Sequence, residues 1–264
     1  DDNVKIKWGP YQMVQSTGAR PYAKYYSNGK DKLYMTYTTG HPDNEWPCWL
    51  YFNVINLHPT QGADGTVTVA PVLEDIKGNH LSTIADGKFR VNKSVEYQQQ
   101  YPYTLVDAPV GYRDWVWQIA CDEAGLPAIA MVRIDRTKNH HQYYYAKWTG
   151  DAWRLTDLAY GGGRFHPSNT EYCYSGGMAL DPECPSTIYL SVPTKNAKGK
   201  NIYEIWQYLV ADNGQVVMKN QITRGSAKNN VRPFVLPSSK DASMRLMWMH
   251  GDYTYWIVKK GFPT

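Results

Sequence analysis

Asn139-His140-His141-Gln142-Tyr143-Tyr144-Tyr145-Ala146-Lys147-Trp148-Thr149-Gly150-Asp151-Ala152-Trp153 decides how the chain is read. Two adjacent histidines precede alternating bulky residues, and a Thr-Gly-Asp group follows. Alternation with period two marks a strand with two different faces, and Gly-Asp between two such runs marks a hairpin. The segment therefore reads as a polar loop delivering its histidines to the start of a strand, then a turn into the next strand.

The same grammar recurs outward from this stretch. Upstream lie Ala19-Arg20-Pro21-Tyr22-Ala23-Lys24-Tyr25, a turn at Ser27–Asp31, Lys32-Leu33-Tyr34-Met35-Thr36-Tyr37, the loop Thr39-Gly40-His41-Pro42-Asp43, and Trp49–Val54. Near the C-terminus Val231-Arg232-Pro233-Phe234, a turn at Ser239–Asp241, Arg245–Met249, His250-Gly251-Asp252 and Tyr253–Val258 repeat the order. Two central units share a variant in which a strand ends at Asp, a short turn reaches Pro and an apolar strand follows: Trp117–Asp122 into Pro127–Val132, and Gly177–Asp181 into Pro185–Val192. Repeat starts fall near residues 19, 115, 175 and 231, and residues 56–112 hold another unit or a large insertion. Val4–Trp8 reads as one further strand. Self-similarity at roughly fifty residues with about four strands per unit is the signature of propeller blades, which need stacked neighbours to bury their faces. The expectation is an all-β chain, a single β-propeller of four-stranded antiparallel blades over residues 1–264, incomplete or with few blades; a β-sandwich is the competing all-β form.

Composition narrows the function classes. The 264 residues include 22 Tyr and 10 Trp but only 5 Phe, so most aromatic surface carries a polar tip. That suits strands with one wet face, and also rings that stack on sugars while hydroxyls and indole N–H groups bond them. The 28 basic residues are scattered through a net charge of +4, without the basic stripe of a nucleic-acid protein. No stretch has the apolar length of a membrane span, and Asp1-Asp2-Asn3 is not a signal peptide, so a mature or trimmed form is expected.

The four cysteines, Cys48, Cys121, Cys173 and Cys184, form no Cys-x-x-Cys. Cys121 sits in an apolar run and reads as a buried thiol. His41 precedes Cys48, and His166 precedes Cys173, by seven residues each. Those four are a candidate zinc set by ligand type, but the loose spacing favours structural thiols or one disulfide. No cofactor is required, and a structural zinc or calcium ion is compatible with the pattern. Gly161-Gly162-Gly163 lacks the strand-to-helix setting of a phosphate loop and reads as a flexible connector.

The chain resembles the bacterial-neuraminidase-repeat propellers of polysaccharide-degrading bacteria, in particular the ulvan-lyase-like group. The residues that carry the resemblance are Ala19–Tyr25, Thr39–Asp43, His141–Trp148, Ser175-Gly176-Gly177-Met178-Ala179-Leu180-Asp181 and Val231–Phe234. Members of that group are longer, with principal catalytic residues before the Arg-Pro-Tyr segment. The resemblance implies that this chain is a C-terminal portion, with a missing N-terminal portion of the same propeller as partner, or a shorter relative. It also implies an acidic polysaccharide or oligosaccharide as substrate and a secreted or periplasmic setting.

In a propeller, loops joining second to third strands open on the same face as the connections between blades. Arg20, His41, Arg113, Asp114, His140, His141, Arg164, His166, Tyr172, Arg232 and His250 map to that rim. Eliminating across a uronic acid needs a cation at the carboxylate, a base for the neighbouring C–H and an acid for the departing oxygen. Arg164 or Arg20 is the expected cation, His141 or His140 the base, and Tyr143 or Tyr172 the acid. Arg20, His41, Arg113, His166, Arg232 and His250 are expected to bind substrate, with Arg232 better suited to bridging blades through backbone carbonyls. Sialidase-like hydrolysis is an alternative that lacks an intact Ser-x-Asp-x-Gly-x-x-Trp box, and noncatalytic glycan binding is another.

Overall fold

The computed structural model describes residues 11–16, 20–84, 89–165, 171–237 and 245–251. The expected strands at Val4–Trp8 and Tyr253–Val258, the turn at Ser239–Asp241, and His166 lie outside them.

Four antiparallel sheets follow one another along the chain. The first joins β2 (Ala23–Ser27), β3 (Lys32–Thr38), β4 (Leu50–Asn56), β7 (Val72–Glu74) and β8 (His80–Thr83), with β10 (Leu105–Asp107) on β4. The second is β11 (Arg113–Cys121), β12 (Pro127–Asp135), β13 (His140–Trp148) and β14 (Trp153–Gly162). The third is β15 (Met178–Leu180), β16 (Thr187–Lys195), β17 (Asn201–Val210) and β18 (Val216–Gln221). Only β19 (Asn230–Val235) and β20 (Leu246–His250) are described in the fourth. The expected unit of about four strands is present, and residues 56–112 add β7, β8 and β10 to the first sheet. The rest of that segment is a small hairpin, β5 (Thr60–Gln61) with β6 (Val67–Thr68), a parallel bridge of β9 (Phe89–Val91) to β1 (Val14–Ser16), and a one-turn helix α1 (Val95–Gln100). The Ser94 hydroxyl caps that helix by accepting from the Tyr97 N–H at 3.1 Å.

Side-chain alternation explains the stacking. Along β12, Ala128, Ala130, Val132 and Ile134 face β15, β16 and β17, meeting Met178, Leu180, Ile188 and Leu190. The intervening Ile129 and Met131 face the first sheet, meeting Leu50, Phe52 and Val54. A strand buried on both faces carries apolar residues without a polar alternate, which is why Pro127–Val132 reads as a continuous apolar run. The first strands touch in series, β2 against β11, β11 against β15, and β15 against β19. A third core lies on the outer face of the first sheet, where Phe89, Val91 and Tyr97 cover Tyr37, Tyr51 and Leu73.

Polar stitches cross between sheets. Tyr143 Oη donates to Ser191 O at 3.0 Å and accepts from Gly177 N at 3.1 Å. Ser191 Oγ donates to Asn230 O at 2.7 Å, and Arg232 N donates to Gly176 O at 2.7 Å.

Three sequence expectations change here. His140 and His141 are not in a loop but open β13, so the strand's period of two sends them to opposite faces: His140 is exposed and His141 is 1% exposed. Gly161 and Gly162 are buried residues of β14, not a flexible connector. A Cβ at Gly161 would meet the Tyr143 ring at 2.8 Å, and one at Gly163 would meet Asn139 O at 2.6 Å. No disulfide forms: all four cysteines are free thiols, three of them buried.

Candidate functional site

The β3–β4 loop is braced before it presents anything. The His41 carbonyl accepts from both Asn44 N and Glu45 N at 2.9 Å, and the Glu45 carboxylate pairs with Lys93 at 2.6 Å. Arg113 donates to the carbonyls of Pro42 and Glu45, so that guanidinium serves the loop backbone. His41 Nδ1 then accepts from Asp43 N–H at 3.2 Å and lies 3.6 Å from Asp43 Oδ2, a buried oxygen without a hydrogen-bond partner.

The connection from β14 to β15 meets this loop. Tyr172 N donates to Asp43 Oδ1 at 2.8 Å. Cys173 is 2% exposed, whereas half-buried Tyr174 places its hydroxyl 3.2 Å from His41 Nε2. Tyr22 and Trp115 close an aromatic floor around the pair: the His41 ring lies 5.2 Å from Tyr22, 5.0 Å from Trp115 and 5.7 Å from Tyr174.

Arginines border this floor. Arg20 lies 4.9 Å above the Tyr22 ring and bonds its hydroxyl at 2.6 Å. Arg232 lies 4.6 Å over Trp117 and 5.9 Å from Tyr174, held by a left-handed backbone (φ +56) that a non-glycine residue adopts at a cost of about 1 kcal/mol or more. Arg136 and Arg164 lie 4.7 and 4.5 Å from the Tyr172 ring.

Burial sets the protonation states. It lowers the pKa of His41, an effect opposed by Asp43 and Glu171 and assisted by Arg20, so the ring is neutral at pH 7. It pushes the Tyr174 hydroxyl up to about 12, with Glu171 and Asp43 adding to the rise. An uncharged imidazole against a protonated phenol is an arrangement that can take and return one proton.

The other expected residues divide clearly. His141 Nε2–H donates to Tyr172 O at 3.0 Å, its buried Nδ1 has no partner, and burial takes its pKa down to about 4. It positions the Tyr172–Tyr174 segment from beneath. Tyr143, fully buried, bridges sheets through its hydroxyl. His140 bonds Gln142 Oε1 at 3.1 Å and packs on Tyr160 at 4.8 Å, on the other face of β13 from His141. Asp114 is fully buried beside Arg133. His250 ends β20 with Nδ1 2.8 Å from Asn230 Oδ1. Of the expected zinc set, His166 lies outside the described residues; Cys48 Sγ donates to Gly40 O at 3.3 Å, and among the described residues no three His, Cys, Asp or Glu groups converge on a metal position. Sequence reasoning missed Trp115, Arg136 and above all Tyr174, although its step of two from Tyr172 was a readable signal.

Because His141 is held neutral, acid must charge it. Its folded pKa lies below the unfolded value of about 6.5, so its contribution is complete above pH 6.5 and is lost as pH falls toward about 4. His141→Gln keeps a donor for Tyr172 O without a titrating ring. Urea unfolding at pH 4.5 and 7.5 is expected to show a smaller pH difference in the variant, by up to about 3 kcal/mol; equal differences refute the assignment.

Residues 1–160 match the family described as BNR repeat-containing family member. The chain belongs to that family. No curated protein matches it. Two solved structures of a polysaccharide lyase, the PL25 ulvan lyase, one of them bound to -[GlcA(1-4)Rha3S]-, are similar at 15% identity and TM-score 0.44. The similarity covers 76% of this chain and 43% of each of theirs, so the chain spans less than half the length of those enzymes.

Proposed function

We propose that the four sheets are blades of a β-propeller and that the rim around His41 and Tyr174 eliminates across uronic acid residues of an acidic polysaccharide. The contact of His41 Nε2 with Tyr174 Oη at 3.2 Å carries the reading. The tautomer that accepts from Asp43 N–H carries its proton on Nε2; the base form is the other tautomer, whose Nδ1–H turns from that amide to Asp43 Oδ2 at 3.6 Å and leaves Nε2 as the acceptor facing the phenol; such contacts commonly tighten once substrate is bound. Arg20 or Arg232 neutralises the uronate carboxylate and makes the adjacent C–H acidic. The pair takes that proton and gives it to the departing glycosidic oxygen as the C–O bond breaks and a C=C bond forms. The scheme uses side chains alone. A polymer of this kind is met outside the cytoplasm, and a secreted or periplasmic protein suits it.

Incubation with ulvan and other uronate polysaccharides tests the proposal by the ultraviolet absorbance of the unsaturated product. Rising absorbance is expected. Binding without any rise would leave a glycan-binding propeller, for which the same aromatic floor and arginines suffice.

A further inference from the structure

β20 presents two exposed side chains two residues apart, and therefore on one face: Trp248, 37% exposed, and His250. Both reach the same atom. Trp248 Nε1 donates to Asn230 Oδ1 at 3.0 Å, and His250 Nδ1 lies 2.8 Å from it. The Asn230 amide cannot turn over, because its Nδ2 donates to Glu204 Oε2 and Ser226 Oγ at 2.9 Å each. Glu204, 2% exposed, is itself fixed by Ser226 N–H at 2.8 Å and by the Ser226 and Thr223 hydroxyls. An indole N–H only donates, so Oδ1 must face Trp248. His250 then has to donate from Nδ1, and its Nε2 is left as an exposed acceptor of fixed tautomer.

Trp248 lines a groove of about 750 Å³ between β2, β11 and the fourth sheet, and His250 ends the same strand two residues on. Tyr25, Trp117, Phe234 and Trp248 line it with the cations Lys24 and Arg232, and among the described residues no carboxylate does. Arg232 links the groove to the candidate site: its guanidinium stacks on Trp117 and lies 5.9 Å from the ring of Tyr174, the partner of His41. Flat rings, two cations and one fixed acceptor are the chemistry of an acidic sugar chain: rings stack on apolar sugar faces, cations meet its acid groups and the imidazole accepts a hydroxyl.

We propose that this groove is a second binding subsite for the acidic glycan, with Trp248 stacking on one sugar ring and His250 Nε2 accepting a hydroxyl from it. The proposal extends the function proposed above to a longer length of the polymer.

The experiment uses the His41→Ala protein, so that an ulvan oligosaccharide stays intact, and measures affinity by calorimetry with and without Trp248→Ala or His250→Ala. Each added change is expected to weaken binding about tenfold, with Trp248→Phe restoring most of the loss. Long-range proton–nitrogen spectra are expected to show His250 protonated at Nδ1 and bare at Nε2 near neutral pH. Unchanged affinity in both variants overturns the subsite, as does an Nε2–H tautomer. A dimer in sedimentation that dissociates on Trp248→Ala would give the groove to a second copy, and also overturns it. Weakened binding together with a wild-type protein that never yields unsaturated product would instead sink the lyase reading and keep the subsite.

Discussion

His41→Ala is expected to lower turnover of a uronate polysaccharide by about 10³-fold with little change in stability. Proton transfer by a positioned side chain contributes roughly 10²–10⁴-fold, and His41 offers the only imidazole within hydrogen-bond reach of Tyr174 among the described contacts. Its loop is braced through backbone carbonyls, Arg113 and Glu45, which leaves the Asp43 N–H contact as the one loop bond among the described contacts that the change removes. Tyr174→Phe should fall by a similar factor, and the double variant should lose little more than either single one, because the two share one proton. The pH profile carries a sign. A base must be neutral to act, and burial lowers the His41 pKa, so the acidic limb of the rate should lie below the ordinary histidine value. Initial rates by product absorbance, with thermal midpoints beside them, decide the matter. A His41→Ala rate within tenfold of wild type would remove it from the chemistry.

Gly162→Ala is expected to be the most damaging conservative change in the described chain, costing about 3 kcal/mol or more. Two effects add. Gly162 has φ +96, a backbone conformation closed to L side chains at a cost of about 1–3 kcal/mol. Its Cβ would also fall 2.1 Å from Tyr203 Oη and 3.1 Å from Cζ, inside a packed sheet-to-sheet contact where overpacking costs about 1–3 kcal/mol. Gly199→Ala is the control: its φ is +75, yet nothing lies within 4 Å of the added methyl, so only the strain remains. Urea midpoints should separate the two variants widely, and equal midpoints would show that the Tyr203 contact is not as close as described.

That glycine also shows what the sequence could and could not convey. Local rules were legible where partners are near in the chain. Asp122 and Asp181 each end a strand and accept from a backbone N–H within the next four residues, Gly125 and Leu126 for one and Cys184 for the other, so their shared Asp-to-Pro pattern exposed the sheet repeat. Gly161-Gly162-Gly163 was not legible, because the groups that forbid a side chain there are Tyr143, Tyr203 and Asn139, brought close only by packing between strands and sheets. The doubled histidine misled for a related reason: the strand begins at His140, and one residue of register decides which ring is buried. His41 could be placed in an inter-strand loop from its neighbours, whereas its contact with Tyr174 spans 133 positions and needs two braced segments to meet. The His41–Cys48 spacing suggested a metal pair, yet the thiol is turned to the Gly40 carbonyl, because a nearby backbone acceptor satisfies it locally.

The Tyr143 hydroxyl, bonded at once to Gly177 N–H and Ser191 O, has a kinetic implication. Ser191 passes the connection on to Asn230, so three sheets share one unbroken run of buried hydrogen bonds. The Gly177 amide is held by the buried Tyr143 hydroxyl, inside that run. In deuterated water it should exchange with the slowest class of amides, at the rate set by global opening, while the exposed turn amide of Lys198 exchanges through local fluctuation. Tyr143→Phe would move Gly177 out of that slow class and split a single cooperative unit into separately opening sheets.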